Sequence, residues 1–131
     1  MSAANRAKPT SSELEILKVL WERGPSTARE VLERLKSRKP VGYTTILKML
    51  QLMEPKGIVA VDRSARSHVY SARLKRDSTM RKLVREFVDR TFDGALDEAL
   101  VHLVDGKKID AATLSKLEAR IQELKKKEQK S

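Results

Sequence analysis

Cysteine is absent from this chain of 131 residues, which excludes disulfide bonds, zinc fingers and thiolate copper sites. The only histidines are His68 and His102, which stand far apart in the sequence, so we expect no metal site and no cofactor. No run approaches the roughly 18 apolar residues that a membrane helix needs. The N-terminal segment also lacks the apolar core of a signal peptide, and these absences together favour a cytoplasmic protein.

Aromatic residues are scarce at 4%, whereas charged residues reach 35%, so the core must be mostly aliphatic. The sequence contains no Ser/His/Asp set, no paired acid site, no P-loop and no glycine-rich loop. The acidic residues are dispersed and fall mostly on predicted helix surfaces. The sequence therefore does not predict an enzyme.

Positive charge is in excess and is unevenly distributed. The formal net charge is +10, and residues 1–76 hold 16 Lys and Arg against 7 Asp and Glu. Residues 77–131 are nearly balanced, with 12 basic and 11 acidic residues. Lys and Arg bind duplex DNA because they release condensed counterions from its phosphates. The N-terminal part is therefore predicted to bind nucleic acid.

The most informative stretch is a helical pattern followed by two short extended runs. The helix buries one face at i, i+3, i+4 and i+7 spacing, formed by Ile46, Met49, Leu50 and Met53. Residues 54–57, which include Pro55 and Gly57, end this helix. The extended runs Ile58–Arg63 and Ser67–Ala72 are joined by a polar turn. A helix leading into a basic hairpin predicts a winged helix-turn-helix.

Two further helices are predicted before that stretch. The first begins at Ser11 or Ser12, where Ser12 and Glu15 have capping-box spacing, and Gly24 ends it. Thr27 and Glu30 form another capping box at the start of the second helix. The third helix is then expected to begin at Tyr43 or Thr44 and to end at Glu54. We therefore assign 1–10 as a disordered N-terminus and 11–74 as the DNA-binding domain.

The remaining residues, 75–131, predict three helices that form a dimerisation domain with a basic tail. Asp77 or Ser78 is expected to cap the fourth helix, Gly94 to end it, and Asp110 to cap the sixth. The region from Lys125 onward is expected to fray. Such short helices have too little core to be independent, so they either pack back on the winged domain or pair with a second copy. We favour a homodimer centred on Leu83, Phe87, Leu96, Leu100, Leu103, Leu117 and Ile121.

Outward residues of the third helix are the first candidates for DNA contact. Thr44 and Thr45 carry hydroxyls on its first turn, and Lys48 can contact guanine or phosphate. Tyr43 stands at the helix entrance, and Leu47 would meet a thymine methyl group if its side chain is exposed. The alternative is an ordinary solvated face with N-capping threonines.

Basic residues of two turns are the other candidates. Arg38 and Lys39 lie in the turn before the third helix, and Arg63 and Arg66 flank the turn of the hairpin. An arginine at a wing tip can enter a minor groove or clamp a phosphate, and His68 begins the returning strand. The alternative is a solvated tip whose charges protect the sheet edge.

Three segments resemble the penicillinase-repressor and methicillin-resistance-regulator family. The stretch LEILKVLWERGPSTAREVLERL resembles its first two helices, and YTTILKMLQLMEPKGIV with SHVYSA resembles its recognition helix and wing. The long segment from LVREFVDRTFDGALDEAL to EARIQEL resembles its C-terminal region. The resemblance covers roughly residues 10–125.

This resemblance implies a homodimeric repressor of transcription that binds an inverted-repeat operator through Thr44, Thr45 and Lys48. It also implies a membrane sensor protease as partner, which cleaves the dimerisation region. The corresponding bond is His102-Leu103, where the best-known members have an Asn-Phe pair. Copper-responsive relatives carry a C-terminal cysteine cluster, which this chain lacks. The alternatives to a specific repressor are a weakly specific architectural DNA-binding module and a winged-helix module that binds protein.

Overall fold

The computed structural model describes residues 8–106 and 109–130, and these form six helices and three strands. The helices are α1 (Ser11–Arg23), α2 (Ala28–Leu35), α3 (Tyr43–Met53), α4 (Arg76–Phe92), α5 (Leu96–Gly106) and α6 (Ala111–Lys130); the strands are β1 (Ser26–Thr27), β2 (Val59–Asp62) and β3 (Val69–Ala72). The chain divides into two compact units, of which the first ends at Val84 and the second begins at Arg85. Within the described residues, no helix has the length and apolar character that crossing a membrane would require.

Helix α1 starts at Ser11, as predicted, but its capping box lies two residues earlier than the predicted pair of Ser12 and Glu15. Thr10, not Ser12, is the N-cap, because the Thr10 hydroxyl accepts from the Glu13 amide while the Glu13 carboxylate accepts from the Thr10 amide. Both pairs have the same three-residue spacing, so spacing alone did not distinguish them. Because Thr10 caps α1 and Pro9 is buried, the expectation of disorder over 1–10 is wrong for these two residues. Residues 1–7 lie outside the described residues.

The predicted capping box of α2 is confirmed, and its first residue also begins a strand. Thr27 accepts from the Glu30 amide, and Glu30 accepts from the Thr27 amide. The short strand β1 was not predicted, because two residues are too few to give a strand pattern. It follows Gly24, whose φ of +93° turns the chain out of α1.

The sheet is antiparallel and has the order β1-β3-β2. Tyr70 in β3 pairs with Ser26 on one side and with Val61 on the other, so the central strand is the returning strand of the hairpin. The two predicted strands of the wing are therefore confirmed, each shorter than its extended run. Tyr70 and Val59 point into the first unit and attach the wing to it.

The core of the first unit is aliphatic and gathers all three of its complete helices. Its fully buried side chains are Ile16, Leu17, Val31, Ile46, Leu50, Met53, Ile58 and Val59. Trp21, the only tryptophan, packs at the edge of this core and donates from Nε1 to the Leu74 carbonyl at 2.9 Å. This bond holds the segment after the wing against α1.

Helix α4 begins earlier than the caps predicted from the sequence. Its first residue is Arg76, so Asp77 and Ser78 lie inside its first turn rather than at its N-cap. The Ser78 hydroxyl donates to the Lys75 carbonyl at 3.3 Å, as a serine inside a helix can. Helix α4 then runs unbroken past Val84.

The end of α4 and the start of α6 lie where Gly94 and Asp110 predicted them. Gly94, with a φ of +84°, follows the end of α4, and its amide donates to the Val88 carbonyl at 3.2 Å. Asp110 caps α6 by accepting from the Thr113 amide at 2.8 Å. The expected fraying from Lys125 onward is not observed, because α6 continues to Lys130.

Glu13 provides a test of the first unit's stability, because it is almost fully buried. Its carboxylate accepts from Lys56 Nζ at 2.7 Å as well as from Thr10. Burial on its own would raise the pKa of Glu13, but the bonds from Lys56 and Thr10 outweigh burial and hold the pKa below its usual value. Glu13→Ala should cost about 2 kcal/mol of unfolding free energy at neutral pH, because a cap and a charged bond are lost.

The control is Glu15→Ala, which removes a more exposed ion pair with Lys18 and should cost less than about 0.5 kcal/mol. A lowered native pKa means that the ionised form stabilises the fold above the unfolded pKa and is lost as the pH falls through the native value. The difference between wild type and Glu13→Ala in urea unfolding should therefore shrink as the solution is acidified. A difference that grows on acidification would contradict this account of Glu13.

Candidate nucleic-acid interface

Burial of one side of α3 determines which residues it presents outward. Ile46, Leu50 and Met53 are buried, so the opposite side of the helix faces solvent. Lys48 lies at the middle of that exposed side, and Thr44 and Thr45 precede it by one turn. All three predicted reading residues are therefore exposed on one helix face. Gln51, which follows Lys48 by three residues, is also exposed there.

The start of α3 offers free backbone donors. Gly42 is the N-cap, and no side chain caps the helix. Thr44 and Thr45 do not act as N-caps, which removes the alternative explanation of these threonines. The first-turn amides and the two hydroxyls are therefore available to an anion at this end of the helix.

Leu47 lies at the edge of the exposed face of α3, and its contact with a thymine methyl group stays a prediction. Its side chain is half-buried and packs against the core of the first unit. The exposed leucine of this helix is Leu52, which retains 54% of its accessible surface and lies next to Lys48 on the helix surface. Two leucines five residues apart lie about 140° apart around a helix of 3.6 residues per turn, so Leu47 and Leu52 lie on different sides of α3.

Tyr43 is flanked by an arginine that the sequence analysis did not select. The Arg29 guanidinium lies over the Tyr43 ring, 4.5 Å from its centroid, in a cation–π contact. This contact joins the first turn of α2 to the first turn of α3. Arg29 stands one residue after the start of a capped helix, where sequence alone gives no reason to prefer it to any other exposed cation.

The tip of the wing is closed by Asp62 and braced by Arg63. The Asp62 carboxylate accepts from the Ser64 hydroxyl at 2.6 Å and from the Ser64 amide at 2.9 Å. Arg63 donates from both terminal nitrogens to Glu54, at 2.5 and 3.1 Å, which ties the wing to the end of α3. The bond from Arg63 holds the pKa of Glu54 below its usual value, and the reciprocal bond raises that of Arg63. Much of the Arg63 charge is thus compensated.

Arg66 and His68 face the same cleft as the Arg29–Tyr43 pair. This cleft, of about 270 Å³, opens between the start of α2, one side of α3 and the wing. Its lining residues are Thr27, Ala28, Arg29, Tyr43, Leu47, Gln51, Arg66, Ser67, His68 and Tyr70. The structure therefore brings together residues of three elements that the sequence treated separately.

Carboxylates of the first unit are all engaged by neighbouring groups. Six of the ion pairs involve side chains on or beside its helices and wing, namely Glu13–Lys56, Glu15–Lys18, Glu22–Arg34, Glu30–Arg23, Glu33–Lys36 and Glu54–Arg63. Asp62 closes the wing turn, and Asp77 pairs with Arg76.

Other cations of the first unit have no carboxylate partner within the described residues: Arg29, Arg38, Lys39, Lys48, Arg66, Arg73, Lys75 and Arg81. Arg38 and Lys39 are exposed in the turn before α3, as predicted from the sequence. The uncompensated charge therefore includes the exposed face of α3, the turn before it and the cleft.

The second unit exposes large apolar side chains of α4, α5 and α6 in the single chain. Phe87 and Leu103 keep 50% and 66% of their accessible surface. Leu96, Leu100, Leu117 and Ile121, which were also predicted for the dimer interface, are exposed, whereas Leu83 is half-buried. His102 is exposed too, and its ring packs beside that of Phe92, with centroids 5.5 Å apart. Among the residues that the structure describes, no group of His, Asp or Glu has the arrangement of a metal site.

These features define a winged helix-turn-helix protein with uncompensated positive charge on and around α3 and a helical C-terminal unit. The family model of the penicillinase repressor matches residues 9–123. The transcriptional regulator BlaI of Mycobacterium tuberculosis is 33% identical over 114 residues, which span 82% of this chain and 83% of that protein. The chain belongs to the penicillinase repressor family.

Two other relatives are more distant. The penicillinase repressor of Bacillus licheniformis is 22% identical over 116 residues, which cover 88% of this chain and 91% of the relative. A solution structure of the monomeric form of Bacillus licheniformis BlaI in complex with the blaP half-operator has 26% identity and a TM-score of 0.48, and the match covers 56% of this chain and 88% of that chain.

Proposed function

We propose that this protein is a sequence-specific DNA-binding repressor of transcription that acts as a homodimer on an inverted-repeat operator. The observation that carries the proposal is the exposed side of α3, where Lys48 stands between Thr44 and Gln51 without a carboxylate partner. An α-helix of this kind fits the major groove, where lysine can bind guanine and amides can bind adenine. Membership of the repressor family supports the same conclusion.

Phosphate contacts are proposed around this reading helix. Arg38 and Lys39 in the preceding turn and Arg66 on the wing carry uncompensated charge, and the uncapped start of α3 adds backbone donors. Such contacts fix the register of a protein on the duplex but do not read sequence. The reading helix and the basic residues around it thus have separate tasks.

Lys48→Ala should lower affinity for the operator by about 1–3 kcal/mol if Lys48 contacts a base. An operator sequence is first selected from random duplexes. The affinity of each variant is then measured by titration with the selected duplex and with mixed-sequence duplexes. Lys18→Ala, which removes an ion-paired cation on α1, serves as the matched control and should leave both affinities unchanged.

A loss confined to selected DNA would support base reading by Lys48. An equal loss on both kinds of DNA would mean that Lys48 contacts phosphate, as in a weakly specific architectural module. Failure of the wild type to bind any duplex would leave the protein-binding module as the function.

Charge on the wing gives a second prediction. Arg66→Ala should reduce the slope of log K against log salt by about 0.9, the value for one phosphate contact on B-DNA. Arg63→Ala should reduce it less, because Glu54 already compensates Arg63. Glu54→Gln should have the opposite effect and steepen the slope on mixed DNA, because it leaves the Arg63 charge uncompensated. Equal slopes for wild type and all three variants would mean that the wing tip does not touch DNA.

The apolar surface of the second unit supports the homodimer. Large side chains at the centre of a buried patch dominate association, and Phe87, Leu100 and Leu103 are exposed in the single chain. Leu117 and Ile121 extend the candidate surface along α6. A second copy would cover this surface and would give the assembly two reading helices for the two halves of an inverted repeat.

Leu103→Asp should convert the dimer to a monomer at micromolar concentration, because a charge would be buried without a partner. The winged unit should stay folded, and operator affinity should fall by orders of magnitude once the two reading helices are no longer tethered. Sedimentation equilibrium measures the first effect and a mobility-shift titration the second. Glu98→Lys, on the opposite side of α5, is the control and should remain dimeric.

A wild-type monomer at that concentration would contradict the interface. A Leu103→Asp variant that stays dimeric and binds normally would do so as well. Either result would leave the DNA-reading proposal intact, because that proposal depends on the first unit.

Proteolysis by a membrane sensor protease is the proposed off-switch. His102 and Leu103 are exposed on α5, so a cut between them would divide the candidate interface without touching α3. Its consequence would match that of Leu103→Asp: a folded winged unit that has lost its tether.

A further inference from the structure

We propose that the cleft between α2, α3 and the wing binds one backbone phosphate of DNA, with Arg29 as its principal ligand. The inference rests on the proposed DNA-binding function and adds to it a site on α2. Three elements meet at this cleft, and each contributes a group that can bind an anion: Arg29 from α2, Gln51 from α3 and Arg66 from the wing.

The contact between Arg29 and Tyr43 positions the guanidinium without using its donors. The Arg29 Cζ atom lies over the Tyr43 ring, 4.5 Å from its centroid. A guanidinium carries five N–H donors in one plane, and those of Arg29 make no hydrogen bond within the described residues, so they are available for a bidentate bond to phosphate. Stacking also limits the rotamers of Arg29 before any ligand arrives, which lowers the entropy cost of binding.

The charge inside the cleft favours an anion. Neither Arg29 nor Arg66 has a carboxylate partner in the part of the chain that the structure describes. Glu54, the C-cap of α3, interacts electrostatically with His68, and Arg63 binds Glu54 with two hydrogen bonds. Tyr70 at the floor is neutral, because burial raises the pKa of its phenol.

The size and position of the cleft favour a backbone phosphate over a small-molecule effector. Its volume of about 270 Å³ lies below the roughly 300–1,000 Å³ of typical ligand pockets. It adjoins Tyr43 at the start of α3, so a duplex read by Lys48 would bring its sugar–phosphate backbone past the opening. Arg29 and Arg66 would then hold that backbone from the helix side and from the wing side.

The test uses the full-length protein and a short mixed-sequence duplex, titrated between about 50 and 200 mM salt. Arg29→Ala should weaken binding about 3- to 10-fold and reduce the log K–log salt slope by about 0.9, because one phosphate contact is lost. Arg29→Lys should keep the slope but bind more weakly than wild type, because it retains the charge without the planar fork. The matched control is Arg34→Ala on the same helix, whose side chain pairs with Glu22 and should not affect the slope.

Substitution of single phosphates by neutral methylphosphonates on selected operator DNA locates the contact. Neutralising the phosphate that Arg29 contacts should weaken DNA binding by the wild type but should not weaken binding by Arg29→Ala any further. Equal affinity and slope for wild type and Arg29→Ala would overturn the proposal, while steep salt dependence of the wild type would still support DNA binding. Absence of binding by the wild type would instead overturn the proposed function.

Free inorganic phosphate could occupy the cleft in place of a backbone phosphate of DNA. The Arg29 Nε–H resonance is followed by NMR during additions of inorganic phosphate and, separately, of duplex. A shift with duplex at far lower concentration than with inorganic phosphate is the expected result. A response to inorganic phosphate alone would assign the cleft to small anions and refute the backbone contact.

Discussion

The rotation of α3 about its own axis is the constraint on which the rest of the first unit depends. Ile46, Leu50 and Met53 must be buried together, and this burial leaves Lys48 at the centre of the opposite side. A rotation by one residue, about 100°, would bring Lys48 to the edge of the core and turn buried side chains towards solvent. Hydrophobic packing of the buried side thus determines which side chains of α3 are exposed to a DNA duplex. The wing depends on the same helix, since Arg63 is braced by Glu54 at its C-terminal end.

In the first unit, ion pairing rather than position in the sequence determines which cations keep an uncompensated charge. Basic residues follow one another closely along the chain, yet Arg34 on α2 and Lys36 at its C-cap are ion-paired, whereas Arg29 on α2 is not. Exposed ion pairs contribute little to stability. Their effect here is to cancel the field of some cations and to leave that of others, which concentrates the potential available to a phosphate.

Periodicity and capping spacing predicted the helices, the hairpin and the exposed face around Lys48, because these features are local in sequence. Three others depend on tertiary packing and were missed or misplaced. Strand β1 exists only because Ser26 pairs with Tyr70 in β3. Leu47 is half-buried because it packs against the core of the first unit beside the cleft. Arg29 could not be selected from the sequence, because its contact with the Tyr43 ring joins two helices and leaves no pattern of residue spacing. Residues 44, 45 and 48 were accessible to sequence reasoning; the cleft was not.

The single tryptophan has a spectroscopic consequence. Trp21 packs beside the core of the first unit and is bonded to Leu74, so its emission reports on that unit's integrity. Helices α5 and α6 contain no tryptophan, and their loss would register in far-ultraviolet circular dichroism rather than in indole fluorescence. A chain of two units need not unfold in one transition. Comparison of the two signals during denaturation would show whether the first unit stays folded after the second has unfolded, as the proposed proteolytic switch requires.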